Sequence, residues 1–352
     1  LKGSVRASIL DAMRRAIGRE RLFGPGDRIV IGLSGGADSV TLSVLLPDLA
    51  REFGAEVVAL AHLNHGLRPG AEDDQRFSGE FAARLGLPFD TETADVRTLA
   101  RERRTSIEDG GRIARYAFLR RVMAARDATR IAVAHTLNDQ AETVLLRLCR
   151  GAGPKGLGSI YPKAGPIIRP LLDVRRAAIE EFLAFVAVAF REDPTNRDVT
   201  FARNRVRHEL LPYLARHAGD GIVDVLARQA AIAREDADWL EQAATESARS
   251  LVLEEETGVS VDARGLRELH PALARRVIHA ILKRIAGRRF VGFDHVEAVL
   301  RLAGWAETPV AEGEMIDLPG LRVKQIGGRL RFEPRPPDPG RAGRRRGRPG
   351  RL

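Results

Sequence analysis

The stretch Arg28-Ile29-Val30-Ile31-Gly32-Leu33-Ser34-Gly35-Gly36-Ala37-Asp38-Ser39, followed by an apolar run from Val40 to Leu46, decides the fold. Its first six residues read as a short buried strand, and the run after Ser39 is compatible with a helix. The glycines therefore fall in a tight loop between strand and helix. Glycine there lets backbone N–H groups converge without Cβ clashes, and the helix N-terminus adds positive potential, so such a loop can hold an anionic phosphate. Ser34 and Ser39 supply further donors. Asp38 is the odd member, because a bare carboxylate beside phosphates repels them unless Mg2+ lies between. The plainer alternative is a glycine-rich turn in which Asp38 or Ser39 caps the helix.

Three more apolar runs, Glu56 to His62, Leu87 to Thr91 and Arg130 to His135, are spaced widely enough for crossover helices. The fold class is α/β, a parallel sheet with helices on both faces, and its ligands belong outside the carboxyl ends of the strands. From Leu210 onward helical spacing at Leu226, Ala230, Ala233, Ala237 and Leu240 points to a long linker helix. A second helical region follows from Leu266 to Ala303, with Asp262 and Asp294 as caps, and Gly327-Gly328 marks a hairpin between Leu321–Ile326 and Arg329–Phe332. The expected division is a catalytic domain over 1–215, a linker helix over 216–250, a small, mainly helical domain over 251–305, a hairpin over 306–334 and a disordered arginine-rich tail over 335–352.

Of the net charge of +10, the tail from Arg335 carries seven arginines against one aspartate, leaving a mildly basic body. The tail either adds sequence-independent attraction to phosphates or merely solubilises the chain. A single cysteine, Cys149, excludes a disulfide framework or a metal–cysteine cluster within one chain, and its place at the end of an apolar helix reads as packing. No stretch approaches the roughly 20 apolar residues of a membrane span, and no signal-peptide core is present, so the cytoplasm is the expected location and no membrane partner is expected.

Two further segments lie where ligands should bind: His62-Leu63-Asn64-His65-Gly66-Leu67-Arg68 after the second strand, and His135-Thr136-Leu137-Asn138-Asp139-Gln140-Ala141-Glu142-Thr143 after the fourth. Between them Glu108, Arg112 and Arg115 share one face of a helix, which on its own is also how a solvated ion-pair face looks. The loop Ser34 to Ser39 resembles the SGGxDS loop of the N-type ATP pyrophosphatases, and the lysine of common NTPase loops is missing from it. Together with Glu108 to Tyr116, Arg150-Gly151-Ala152-Gly153, Lys155-Gly156-Leu157, Arg169-Pro170-Leu171-Leu172, Glu192 to Asn196 and Arg203 to Arg207, these segments resemble the tRNA(Ile)-lysidine synthetase family. Two positions depart from that pattern: Asn138 stands where the family has the first aspartate of a pair, and Gly111 where it has alanine.

The resemblance implies a Rossmann-like domain that uses ATP to adenylate the C2 oxygen of a cytidine in the CAU anticodon of tRNA(Ile), with L-lysine then displacing AMP. It implies that Ser34, Gly35, Gly36, Ala37, Asp38 and Ser39, with His62 and His135, bind ATP, and that Asp38 and Asp139 bind Mg2+. Arg112, Arg115 and Arg205 become candidates for catalytic contacts to phosphate or base. Asn64, His65, Glu142, Arg203 and Arg207 are candidates for lysine or tRNA, with Glu142 taking the proton of the lysine amine. Arg275, Arg276, Lys283, Arg288 and Arg289 are candidates for the tRNA grip. Longer members of the family carry a further C-terminal domain that is expected here in abbreviated form, and a homodimer is open as the assembly. The rivals are a tRNA thiolase of the same superfamily, a catalytically impaired tRNA-binding relative in which Asn138 has cost activity, and an amidotransferase-type synthetase.

Overall fold

The computed structural model describes residues 2–67, 70–191, 198–287, 289–305 and 311–335. Arg68, Glu192 to Asn196, Arg288 and the tail beyond Arg335 lie outside the described residues, so the expectations placed on them receive no structural account. The chain divides into two compact units, Leu1–Arg234 and Glu235–Leu352.

The first unit begins with α1 (Lys2–Glu20), which the sequence reading did not identify, and continues through β1 (Arg28–Gly32), α2 (Ala37–Glu52), β2 (Glu56–Asn64), α3 (Ala71–Arg84) and β3 (Phe89–Thr93). Then come α4 (Val96–Arg103), α5 (Ile107–Ala125), β4 (Arg130–Ala132), α6 (Leu137–Leu148), α7 (Pro154–Leu157), β5 (Lys163–Ala164), β6 (Ile167–Ile168) and α8 (Arg176–Val186). α9 (Ala202–Arg205) passes through a π-helical turn, Val206–Leu210, into α10 (Leu211–Ala218), and α11 (Ile222–Leu251) contains the unit boundary.

The sheet order is β3-β2-β1-β4-β6-β5, parallel except for β5. Side chains of a strand alternate between faces, and β1 shows the result: Ile29 and Ile31 enter the core beneath α1, α2 and α8, while Val30 enters the core beneath α5. All three are fully buried, which is why this strand reads as a continuous apolar run. From β1 the chain crosses to β2 on one side, whereas β4 pairs on the other. The crevice for a ligand therefore opens at the carboxyl ends of β1 and β4.

Gly110 and Gly111 on α5 differ in what they do. A Cβ on Gly110 would lie 2.9 Å from the Ala100 Cβ, so the close approach of α4 and α5 requires glycine there. At Gly111 a Cβ would make ordinary contact, 3.7 Å, with His65 and Val96. Gly111→Ala is therefore expected to stabilise the protein by about 0.5–1 kcal/mol through helix propensity, measurable as a rise in the urea midpoint at unchanged slope.

The second unit adds β7 (Val252–Glu255), β8 (Gly258–Asp262), α12 (Ala263–Glu268), α13 (Pro271–Ala286), α14 (Phe293–Leu302), β9 (Met315–Leu318), β10 (Leu321–Ile326) and β11 (Arg329–Pro334). Its helices are accompanied by a five-stranded antiparallel sheet, β7-β8-β11-β10-β9, in which the hairpin of β10 and β11 takes part. Ile326 pairs with Arg329 across Gly327 and Gly328, both at positive φ, so only two residues turn the chain. Asp262 caps α12 by accepting from the Arg264 N–H, whereas Asp294 lies inside the first turn of α14 behind the N-cap Gly292. Cys149 is exposed at the C-cap of α6; the apolar face of that helix points inward and leaves its last turn to solvent, which corrects the reading of this thiol as packing.

Candidate active site

The loop after β1 is held from several sides. Gly35 has φ +81°, a conformation that favours glycine, and its carbonyl accepts from the Arg191 N–H at 2.9 Å. The Ser39 hydroxyl accepts from the Ser34 N–H at 3.1 Å, donates to the Gly36 carbonyl at 2.9 Å and lies 3.1 Å from the Ser34 hydroxyl, so the loop is closed on itself. Gly36 is the N-cap of α2 and offers no side-chain acceptor to the first helical N–H groups. Those amides are left without a side-chain cap, as an anion site at a helix N-terminus requires.

Two histidines expected at the nucleotide make contacts that anchor the site. Buried His62 donates from Nδ1 to the Leu33 carbonyl at 2.9 Å, tying the end of β2 to the start of the loop, and burial lowers its pKa. Burial pushes His135 down to about 3, with the charges of Arg169, Arg203 and Arg115 adding to it, so its imidazole is neutral. Its Nδ1 accepts from Arg169 Nε at 3.2 Å.

The charged centre is a cluster of three carboxylates and three guanidinium groups. Asp38 stands in the first turn of α2, while Asp139 and Glu142, three residues apart, share a face of α6. Asp139 divides its oxygens. Oδ2 accepts from the Thr136 N–H at 2.8 Å and from the Thr136 hydroxyl at 3.0 Å in a capping box, which leaves Oδ1 aimed at the arginines. Arg203, Arg176 and Arg207 lie 3.1, 3.4 and 3.4 Å from that oxygen. Glu142, buried, binds Arg203 Nε through Oε2 at 2.8 Å and Arg207 Nε through Oε1 at 2.6 Å. Arg176 also reaches Asp38 Oδ2 at 3.2 Å.

Burial would raise the Asp139 carboxyl, but Arg203 and Arg176 outweigh it and hold it down at about 2. At Asp38 burial prevails, with the charge of Asp139 adding to it and Arg176 opposing, and the carboxyl is raised from 3.8 to about 6. Asp38 Oδ1 is buried without a hydrogen-bond partner. An orphaned carboxylate oxygen beside a second carboxylate suits a hard divalent cation that takes one or two carboxylates and completes its shell with phosphate and water. No group of three or more metal-ligating His, Cys, Asp or Glu side chains occurs among the described residues, so the protein donors on offer here are Asp38 and Asp139.

Arg205, expected in the centre, is not brought there. It is exposed and donates to the Val199 and Thr200 carbonyls at 3.0 and 2.9 Å. The reason is helical: Arg203 and Arg207 are four residues apart and share a face, whereas Arg205 projects from the opposite side. Arg112 is exposed, and Arg115 donates to His65 Nε2 at 3.3 Å, on the β2 side of the site. There a cavity of about 880 Å3 is lined by Asn64, Gly66, Glu72, Gln75 and Arg76 among others. Asn64 is occupied in shaping it, accepting from the Gly66 N–H at 2.9 Å and donating to Gln75 at 3.3 Å.

Arg176 is the residue the sequence reading missed. It follows Arg175 at the start of an amphipathic helix and carries no motif of its own. Asn138 also gains a definite task. Its Oδ1 accepts from the Arg176 backbone N–H at 2.9 Å and so caps α8 from outside, since the N-cap residue Arg175 provides no side-chain acceptor. That task asks for an acceptor oxygen, which asparagine and aspartate both have.

A PP-loop domain family matches residues 12–214. The tRNA(Ile)-lysidine synthase of Geobacter sulfurreducens is 43% identical over 303 residues, covering 84% of this chain and 63% of its own length. That of Leifsonia xyli subsp. xyli is 36% identical over 319 residues, covering 90% of this chain and 92% of its own. The U34-tRNA thiolase NcsA from Methanococcus maripaludis superposes with a TM-score of 0.56 at 18% identity, over 67% of this chain and 81% of that one, a likeness of fold alone. With the family match over more than half of its residues and relatives this similar over most of their length, the chain belongs to the PP-loop family and, within it, to the tRNA(Ile)-lysidine synthases.

Proposed function

We propose that the protein ligates L-lysine to the wobble cytidine of tRNA(Ile) with a CAU anticodon, using ATP to adenylate the C2 carbonyl oxygen and releasing pyrophosphate and then AMP. Its place of action is the cytoplasm. The observation that carries the reading is the cluster of Asp38, Asp139 and Glu142 with Arg176, Arg203 and Arg207, set at the end of a phosphate loop in a member of this family.

In this reading the open amides of α2 and the Ser34 and Ser39 hydroxyls hold the polyphosphate, and the arginines stabilise the charge that develops on the leaving pyrophosphate. Asp38 and Asp139 would hold Mg2+, which would supply Lewis-acid neutralisation of that charge. Both oxygens of Glu142 are engaged by Arg203 and Arg207, so in this reading it holds those guanidinium groups in place. The capping task of Asn138 favours a competent enzyme over an impaired relative, because the amide retains the oxygen the site uses.

The test is incubation of the protein with CAU-anticodon tRNA(Ile), ATP, Mg2+ and L-lysine, followed by mass spectrometry of the digested nucleosides. Lysidine is expected, together with tRNA-dependent pyrophosphate release. Pyrophosphate release without a lysine adduct would point to another acceptor, and no tRNA-dependent release would refute the reading.

A further inference from the structure

We infer that Arg176 is a resident cation of the active site, lying between the carboxylates that take the metal, so that it competes with a divalent ion and leaves them when the ion binds. The inference deepens the proposed function and rests on its assignment of Asp38 and Asp139 to the metal.

One nitrogen, Arg176 Nη2, lies 3.2 Å from Asp38 Oδ2 and 3.4 Å from Asp139 Oδ1, bridging carboxylates that come from α2 and α6. Asp139 Oδ1 is shared with Arg203 and Arg207 as well, but among the described residues the ion pair of Asp38 is with Arg176. The two carboxylates would repel each other across a half-buried crevice, and the guanidinium relieves that repulsion. It does so incompletely, because Asp38 Oδ1 remains buried without a partner. A small divalent ion carries twice the charge and can be approached by oxygens on every side, so it satisfies the same carboxylates better than a planar fork.

The base of Arg176 is fixed by a backbone hydrogen bond, while among the described residues its head pairs with Asp38, Asp139 and Glu142. Its backbone N–H is held by Asn138 Oδ1 at 2.9 Å at the first position of α8, and a long side chain sweeps a wide arc about a clamped Cα. Three carboxylates balance three guanidinium groups in the protein as it stands. With an ion bound, Asp38 and Asp139 would hold it, and the Arg176 guanidinium would be available to the phosphates. Asn138 is on this account a positioning residue for Arg176.

The experiment measures Mn2+ binding to the full chain by electron paramagnetic resonance, without nucleotide or tRNA, at about pH 8 where the carboxylates are ionised. Removing the competing charge in Arg176→Gln is expected to tighten Mn2+ about tenfold, and loosening its base in Asn138→Ala about threefold, both with unaltered circular dichroism. Asp38→Asn should abolish the high-affinity signal. The inference is overturned if neither Arg176→Gln nor Asn138→Ala binds Mn2+ more tightly than the unmodified chain; should Arg176→Gln fail to fold, Asn138→Ala decides alone. The readout involves neither lysine nor tRNA, so a chain that shows the Mn2+ effect but forms no lysidine would sink the proposed function and leave this inference standing.

Discussion

Asp38→Asn is expected to abolish tRNA-dependent pyrophosphate release, by at least about a thousandfold, while making the ligand-free protein more resistant to heat. The first effect comes from losing a metal ligand, the second from burial of the carboxylate. The Asp38 carboxyl is raised from 3.8 to about 6, chiefly by burial. A carboxyl whose folded value lies above its unfolded value contributes stability that is fully present below about 3.8 and is lost as pH rises through 6. At neutral pH the ionised group therefore costs on the order of 3 kcal/mol at most, since part of the side chain still reaches solvent. An amide cannot ionise and avoids that cost. Thermal melts from pH 8 down to pH 4 should show the variant several degrees more stable at the top of the range, with the difference shrinking as pH falls through 6. Adding Mg2+ and ATP should raise the melting point of the unmodified protein and leave that of the variant unchanged. An Asp38→Asn protein that retains pyrophosphate release removes Asp38 from the metal site. One that melts like the unmodified chain at every pH removes the electrostatic account of its burial.

That cost shows why parts of the site are legible in sequence. Asp38 stands out because it contradicts its surroundings, a carboxylate in a loop built for anions, and local contradictions of this sort mark functional positions. The strand, loop and helix around it follow local rules, so β1 and α2 are readable from composition and period alone. Asp139, Glu142, Arg203 and Arg207 are named by the family resemblance, and the helical period explains why each pair shares a face. The period that pairs those arginines also directs Arg205 away, onto the Val199 and Thr200 carbonyls. Arg176 carries no such signal. Its place depends on β6, a strand of two residues, carrying α8 back beside α2, and no local pattern announces a strand so short. The sheet of the second unit was half hidden for the same reason: β7, β8 and β9 are four or five residues long, and only the Gly327-Gly328 turn declares a hairpin. Asn138 shows the converse. Its departure from the family pattern looks like a lost catalytic charge until the structure gives the position a capping task that the amide performs.

Glu142→Ala is expected to be the most destabilising single change in the cluster. The side chain is 1% exposed and receives Arg203 Nε at 2.8 Å and Arg207 Nε at 2.6 Å, with Arg207 Nη2 at 3.0 Å as a second bond to Oε2. Removing it leaves two half-buried guanidinium groups competing with Arg176 for Asp139 Oδ1 alone. Breaking a buried pair from one side typically costs about 3–5 kcal/mol, because the surviving charge stays desolvated without its counterion. In a unit of this size that lowers the melting temperature by roughly 10 °C. The stability loss and the loss of activity can be separated by removing a second charge. Glu142→Ala combined with Arg207→Met deletes both members of a pair and is expected to recover part of the lost stability, while pyrophosphate release stays as low as in the single variant. If the double variant melts below the single one, Arg207 is stabilised by contacts other than the carboxylate. If Glu142→Ala melts within a degree or two of the unmodified chain, the cluster is relaxed enough for water to replace the carboxylate, and Glu142 does not fix the arginines.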